Sequence, residues 1–165
     1  VNFLDSECQT GPFDDLEFGL CDDQPSEVAY VALNHREQWI ATVKNPSRKR
    51  VTFTAIDKCV IKDHEEAGRG RCDCMLTTDA AMYLIELKDW GRSNWQSHAL
   101  DQLESTIEFL LATHGEEFLI NHSPKKAYVC NRKKAPFVEI NNVLKRRFSR
   151  HYNFRLDIQT TVQID

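Results

Sequence analysis

This sequence predicts a mixed α/β fold, and three observations point to it. Short runs rich in Val, Ile, Thr, Tyr and Phe recur between turn-forming clusters across residues 27–88. One long stretch, 95–111, repeats apolar residues at helical spacing. Strand-like and helix-like segments then alternate to the end. That order packs helices on a mixed central β-sheet.

Residues 1–26 have weak periodicity, acids, Gly11, Pro12, Gly19 and Pro25. They predict an irregular acidic arm. Residues 27–165 then form a single domain, with its core in 51–160. Strands are expected at 27–33, 38–43 and 51–56, separated by Asn34-His35-Arg36 and by Asn45-Pro46-Ser47-Arg48, both good turn composition. The simplest arrangement is an antiparallel β meander on the N-terminal side. Residues 57–66 fit either a continuing strand or a short helix. Strands follow at 71–77 and 82–88, with a turn at Thr78-Asp79-Ala80.

Ser93 and Gln96 have capping-box spacing, and Trp95, Ala99, Leu103, Ile107, Leu110 and Leu111 mark one helical face. Gly115 supplies a left-handed stop. A strand at 126–130, a basic helix at 139–151 and a last strand at 154–159 complete the reading.

With 165 residues, 41% hydrophobic and 28% charged, the chain can bury a sizeable core without a metal or disulfide staple. No apolar run approaches the roughly 20 residues that span a bilayer, so no membrane partner is expected. Acids without Lys or Arg in the first ten residues make a secretory signal unexpected. The six cysteines (Cys8, Cys21, Cys59, Cys72, Cys74 and Cys130) include no C-x-x-C pair. Reduced thiols in or near the core, and hence a cytoplasmic location, are the expectation, with zinc or disulfides the lesser alternative.

The net charge of −4 conceals a separation. Residues 1–27 carry eight acids and no Lys or Arg, whereas residues 123–151 carry nine bases and one acid, Glu139. Lys125, Lys126, Arg132, Lys133, Lys134, Arg146 and Arg147 in that segment are candidate phosphate contacts. A solvated charged surface is the plainer explanation.

The chemistry concentrates on two strands. Side chains alternate along a strand, so Asp73 points away from Cys72 and Cys74. Glu86 and Lys88 share a face with Leu84. Pairing the two strands brings Asp73, Glu86 and Lys88 together on one face. Two carboxylates, with the Leu87 carbonyl as an extra ligand, supply the oxygens that a hard divalent ion takes. Lys88 could orient or deprotonate a water, or hold a phosphate as a point charge.

Asp73 followed, after twelve residues, by Glu86-Leu87-Lys88 resembles the PD-(D/E)xK phosphodiesterase superfamily, the restriction-endonuclease-like nucleases. The resemblance covers residues 70–130. It implies a restriction-endonuclease-like α/β fold in which Asp73 and Glu86 are metal ligands and Lys88 is the catalytic lysine. Gln102 matches a glutamine on the following helix in many members. Glu65 and Glu66 are possible additional acids. The sequence departs from the pattern in having Cys72 where a Pro often precedes the Asp. The implied activity is a metal-dependent nuclease, endo- or exo-, using Mg2+, with Mn2+ able to substitute, most readily on DNA. A silent module that binds nucleic acid or a protein partner in defence or repair is the alternative. Cutting both strands would call for a homo-oligomer or a protein partner.

Overall fold

Two strands buried along their whole length, β7 (Met82–Lys88) and β8 (Lys125–Asn131), form the centre of the fold. They are parallel neighbours covered on both faces, as the apolar runs Met82–Ile85 and Ala127–Cys130 require. The computed structural model describes residues 1–23, 27–89, 91, 93–133 and 142–165. In chain order the other elements are β1 (Gln9–Phe13), β2 (Glu17–Cys21), β3 (Tyr30–Ala32), β4 (Ala41–Lys44), β5 (Val51–Ala55) and β6 (Cys74–Thr77). After β7 come α1 (Trp95–Ile120), β8, α2 (Asn142–Tyr152), β9 (Arg155–Ile158) and β10 (Thr161–Gln163).

The larger sheet has the order β1-β5-β6-β7-β8-β9, and the smaller β10-β4-β2-β3. Both are mixed, so the chain is an α/β fold. In the larger sheet β5, β6 and β7 pair antiparallel, and β8 and β9 continue in parallel. Alternation along β7 divides the core. Met82 and Leu84 pack with Ala99, Leu103, Ile107 and Leu110 of α1. Tyr83, Ile85 and Leu87 face the small sheet with Phe18, Leu20, Val43 and Val162. Three layers result: helices, large sheet, small sheet.

Residues 1–23 are not an irregular arm. They hold β1 and β2, and Phe3, Phe18, Leu20 and Cys21 are fully buried. Their acids obscured an alternation in which Phe18 and Leu20 turn inward. Gly19 is needed between them because a Cβ there would lie 2.2 Å from Trp39 ring atoms. The expected N-terminal strands exist, but they do not make a meander. β4 pairs with β2 and β10, whereas β5 pairs with β1 and β6. Pairing partners distant in sequence leave no local signal, and β10 was not foreseen at all. Residues 57–66 are turns, with one bridge between Asp57 and Ile61.

The start of α1 also differs from expectation. Its N-cap is Asn94, without a side-chain cap, so the Ser93–Gln96 box does not form. Gly115 does leave helical geometry, at φ 78°, but helix resumes beyond it to Ile120. The basic helix is described from Asn142; residues 139–141 of the expectation lie outside the described residues. None of the helices is long and apolar enough to cross a membrane, among the described residues.

Cys21, Cys72, Cys74 and Cys130 are free and buried, as expected, but Cys8 and Cys59 form a disulfide. It pins the chain before β1 to the loop after β5, across a sequence separation of 51 residues. A loop of that size, closed in the unfolded chain, stabilises the fold by about 4 kcal/mol in the chain-entropy account. We therefore expect Cys8→Ser/Cys59→Ser, or reduction of the wild type, to lower the unfolding free energy by about that amount and the urea midpoint with it. Chemical denaturation with and without reductant measures it, and an unchanged midpoint would show that the bond adds nothing.

Candidate functional site

The two motif strands meet as the alternation requires. β6 and β7 pair with Cys74 opposite Ile85, so one step further places Asp73 opposite Glu86, on the same face. That is the helix face. Past Met82 and Leu84 the next two positions of β7 on it are Glu86 and Lys88, beside α1. A cleft of about 490 Å3 opens there, lined by Asp73, Glu86, Leu87, Lys88 and Gln102 together with Asp22, Ile40, Asp57 and Asp89.

The geometry inside is tight. Lys88 Nζ lies 2.6 Å from Glu86 Oε1 and donates to Gln102 Oε1 at 2.7 Å. The Leu87 amide donates to Asp73 Oδ2 at 2.6 Å. Gln102 Nε2 donates in turn to the Arg71 carbonyl at 3.2 Å. One residue on, the Cys72 amide donates to Thr106 Oγ1 at 2.8 Å. Gly70 passes so near α1 that a Cβ would lie 3.2 Å from Gln102 Cα. The segment that presents Asp73 is thus strapped to the same helix that holds Lys88.

Burial dominates the electrostatics. Glu86 is 1% exposed, Asp73 5% and Lys88 8%. Loss of water pushes the Glu86 carboxyl up to about 7, although the Lys88 ammonium pulls the other way. Burial, and then repulsion from Glu86 and Asp22, holds Asp73 well above the ordinary carboxylate range. Glu86 Oε2 is buried and has no hydrogen-bond partner among the described residues. An orphaned carboxylate oxygen in a cleft calls for a cation or a solvent donor.

The donor set suits magnesium. Asp73, Glu86 and the Leu87 carbonyl offer hard oxygens, and magnesium commonly takes one or two carboxylates while keeping several waters. Among the described residues no three His, Cys, Asp or Glu side chains gather as a complete metal group. Any ion here would therefore complete its shell with solvent or substrate oxygens.

Glu65 and Glu66 do not join the site. Glu65 accepts from the Lys62 amide and Glu66 pairs with Arg69; the turns of residues 57–66 direct both elsewhere. The acids that do line the cleft, Asp22 and Asp57, were missed. Asp22 follows β2 in the segment read as irregular. Asp57 follows β5, donates its amide toward the Asp73 carbonyl and takes an ion pair from Arg71. An acid one or two positions past a strand was the available signal for both.

The basic segment does not form one face. Lys126 is tied to Asp165 at 2.7 Å, and Arg147 to Glu104. Arg132 grips Asp89 and the Glu37 carbonyl at the rim of the cleft. That contact lowers the Asp89 pKa. Lys133 is exposed nearby, and Lys134 lies outside the described residues. Lys125 and Arg146 line a second cleft elsewhere. Alternation along β8 and partners remote in sequence dispersed these charges.

Comparison with protein-family models, with curated proteins and with solved structures returned no match to this chain. The site therefore stands on its own geometry.

The raised carboxyls carry a pH signature. Between about 4.5 and about 7 the folded state keeps a proton on Glu86 that the unfolded chain releases. Without a cation, stability therefore falls as pH rises through that window. Asp73→Asn keeps an acceptor for the Leu87 amide and removes one of the two charges. In EDTA at about pH 8 we expect it to be more stable than wild type by about 1–2 kcal/mol, the difference closing toward about pH 5. Thermal melts across pH measure this. A variant less stable at every pH would show that repulsion is not what strains the site.

Proposed function

We propose that the protein is a divalent-metal-dependent nuclease, hydrolysing phosphodiester bonds, most readily in DNA. One observation carries the reading: Asp73 stands opposite Glu86 across the β6–β7 register, with the Lys88 ammonium bonded to both Glu86 and Gln102 in one cleft. The order β5-β6-β7-α1-β8-α2-β9 supports it, because the PD-(D/E)xK resemblance implies an Asp strand and an E-x-K strand in a hairpin, then a helix, a strand and a helix.

In this reading Asp73, Glu86 and the Leu87 carbonyl would hold Mg2+, or Mn2+ in its place. The bound ion would polarise a phosphate oxygen, lower the pKa of a water and neutralise developing charge. Hydrolysis joins the water oxygen to phosphorus and breaks the bond to a bridging oxygen, which leaves with a proton. Glu86 and Gln102 fix the Lys88 ammonium, whose role is to orient the attacking water or to hold the phosphate. Gln102 is a positioning residue, since it reaches the reaction through Lys88. The strap from α1 to Arg71 and Cys72 keeps Asp73 in register with Glu86. A cytoplasmic site of action fits a nucleic-acid substrate and the four free thiols, and the Cys8–Cys59 disulfide weighs against it. Double-strand cutting would take two copies of the site, in a homo-oligomer or with a protein partner.

A retired nuclease fold that only binds nucleic acid or a protein is the competing reading. The test uses plasmid and single-stranded DNA with Mg2+, Mn2+ or EDTA. The wild type should cut only with metal. Lys88→Ala should lose on the order of 10²–10⁴-fold in rate, and Asp73→Ala should be inactive. Metal at about 100 times its Kd should stabilise the wild type by about 2.7 kcal/mol and leave Asp73→Ala unmoved. Metal and DNA binding without cleavage would favour the silent module, and the absence of any metal response would sink the site.

A further inference from the structure

Of the described cations without a closely matched carboxylate, Lys125, Lys145, Arg146 and Arg155 gather at the end of the large sheet opposite the acidic cleft, whereas Lys133 lies near that cleft's rim. β8 begins at Lys125, which pairs with Met82, the first residue of β7, while Lys88 closes the other end opposite Asn131. β9 begins at Arg155, opposite Lys126. Six strand steps, about 20 Å, separate the two ends. At the Lys125 end a cleft of about 530 Å3 lies between α2 and the starts of β8 and β9. Lys125, Lys145, Arg146 and Arg155 line it, with Ser149 and Asn153 as polar partners. Among the described residues that line it none is acidic.

Each of these cations is under-neutralised. Lys125 is only 8% exposed, and its ammonium donates to the His122 carbonyl at 3.1 Å. That single described partner leaves two of its three donors for a ligand. Burial also depresses the Lys125 pKa, a cost that a bound anion would relieve. Arg155 has Asp157 at 3.5 Å, but its side chain is 72% exposed, so that pairing is weak. Lys145 and Arg146 have no ion-pair partner among the described residues. By contrast Lys126, Arg132 and Arg147 are all matched by carboxylates.

We propose that this cleft is a phosphate-binding site for a nucleic-acid backbone, about 20 Å from the acidic cleft along the sheet. A polyanion, in preference to a single small phosphate, is favoured by continuity. Arg48, Lys49 and Arg50 line a further cleft on the same end, beside Thr52, Thr77 and one acid, Asp79, so cations outnumber acids along the sheet end from β5 to β9. That is four strand spacings, about 19 Å. A ligand with repeated phosphates uses charges spread over such a length, which a single phosphate cannot. The choice of nucleic acid as ligand rests on the nuclease reading, whereas the anion site itself does not.

The test measures binding in EDTA, so that cutting plays no part. A labelled duplex of about 20 base pairs, some three times the length that spans 20 Å, is titrated by fluorescence anisotropy over a range of salt. The Lys145→Glu/Arg146→Glu variant should lose on the order of tenfold in affinity or more. Its slope of log K against log salt should be shallower by about two. Lys145→Arg/Arg146→Lys should bind as wild type, and Lys44→Glu, an exposed charge on β4, should change little. Both reversed side chains are exposed, and a thermal melt confirms that the variants fold.

Unchanged duplex affinity and slope in the double reversal would overturn the proposal. If calorimetry showed inorganic phosphate binding that the reversal abolishes while duplex binding stayed intact, the nucleic-acid assignment would be overturned in favour of a free phosphate. Duplex binding through this cleft by a protein that never cuts would sink the nuclease reading alone. Cutting that depends on Lys88, with no effect of the reversal on binding, would sink this inference alone.

Discussion

Two carboxyl groups facing one another across an antiparallel register, nearly cut off from water, are the constraint on which the rest of the structure depends. Asp73 and Glu86 would separate or protonate if the chain allowed it, since burial and mutual repulsion both disfavour their charges. The fold denies them the first option. β6 and β7 are central strands, locked by β5 on one side and β8 on the other. The approach to Asp73 is held to α1 through Gln102 and Thr106. Lys88 offsets part of the charge without matching both acids. What remains is a buried carboxylate oxygen on Glu86 without a hydrogen-bond partner among the described residues.

The three-layer architecture explains why such a site can exist without unfolding the protein. The apolar side chains of β7 divide between a helix-facing core and a sheet-facing core, and the charged pair occupies only its last turn of alternation. Strain at Glu86 is therefore local, at the edge of a packed layer, and the deep contacts of Leu84, Leu103 and Ile107 are undisturbed. The small sheet contributes as well. β2 and the 36–38 turn reach the mouth of the cleft, bringing Asp22 there, and Arg132 binds Asp89 and the Glu37 carbonyl across the rim.

Charge on this molecule is sorted by the ends of its strands. The acidic cleft stands where β7 and β8 finish, and four weakly matched cations, Lys125, Lys145, Arg146 and Arg155, stand where β8 and β9 begin. In the linear sequence charge looks sorted differently, into an acidic stretch at 1–27 and a basic one at 123–151. That is a poorer description, because it merges matched cations such as Lys126 and Arg147 with unmatched ones such as Lys145 and Arg146. Net charge along the chain reports composition, while the field a ligand meets depends on which charges have partners.

The central hairpin, the long helix and the grouping of Asp73, Glu86 and Lys88 were legible in the sequence by itself, and Gln102 joined them only through the family resemblance. Strand alternation and helical periodicity are local rules, and a side chain's face follows from its own neighbours. The predicted span 82–88 matches β7 to the residue for that reason. Only the tertiary structure decided that residues 1–23 form strands, that β4 and β5 belong to different sheets, and that Cys8 finds Cys59. It alone placed Asp22 and Asp57 in the cleft and turned Glu65 and Glu66 away. Each of those depends on a pairing between segments distant along the chain, where the choice of partner is set by which apolar faces can be covered together. No stretch of sequence contains that information locally.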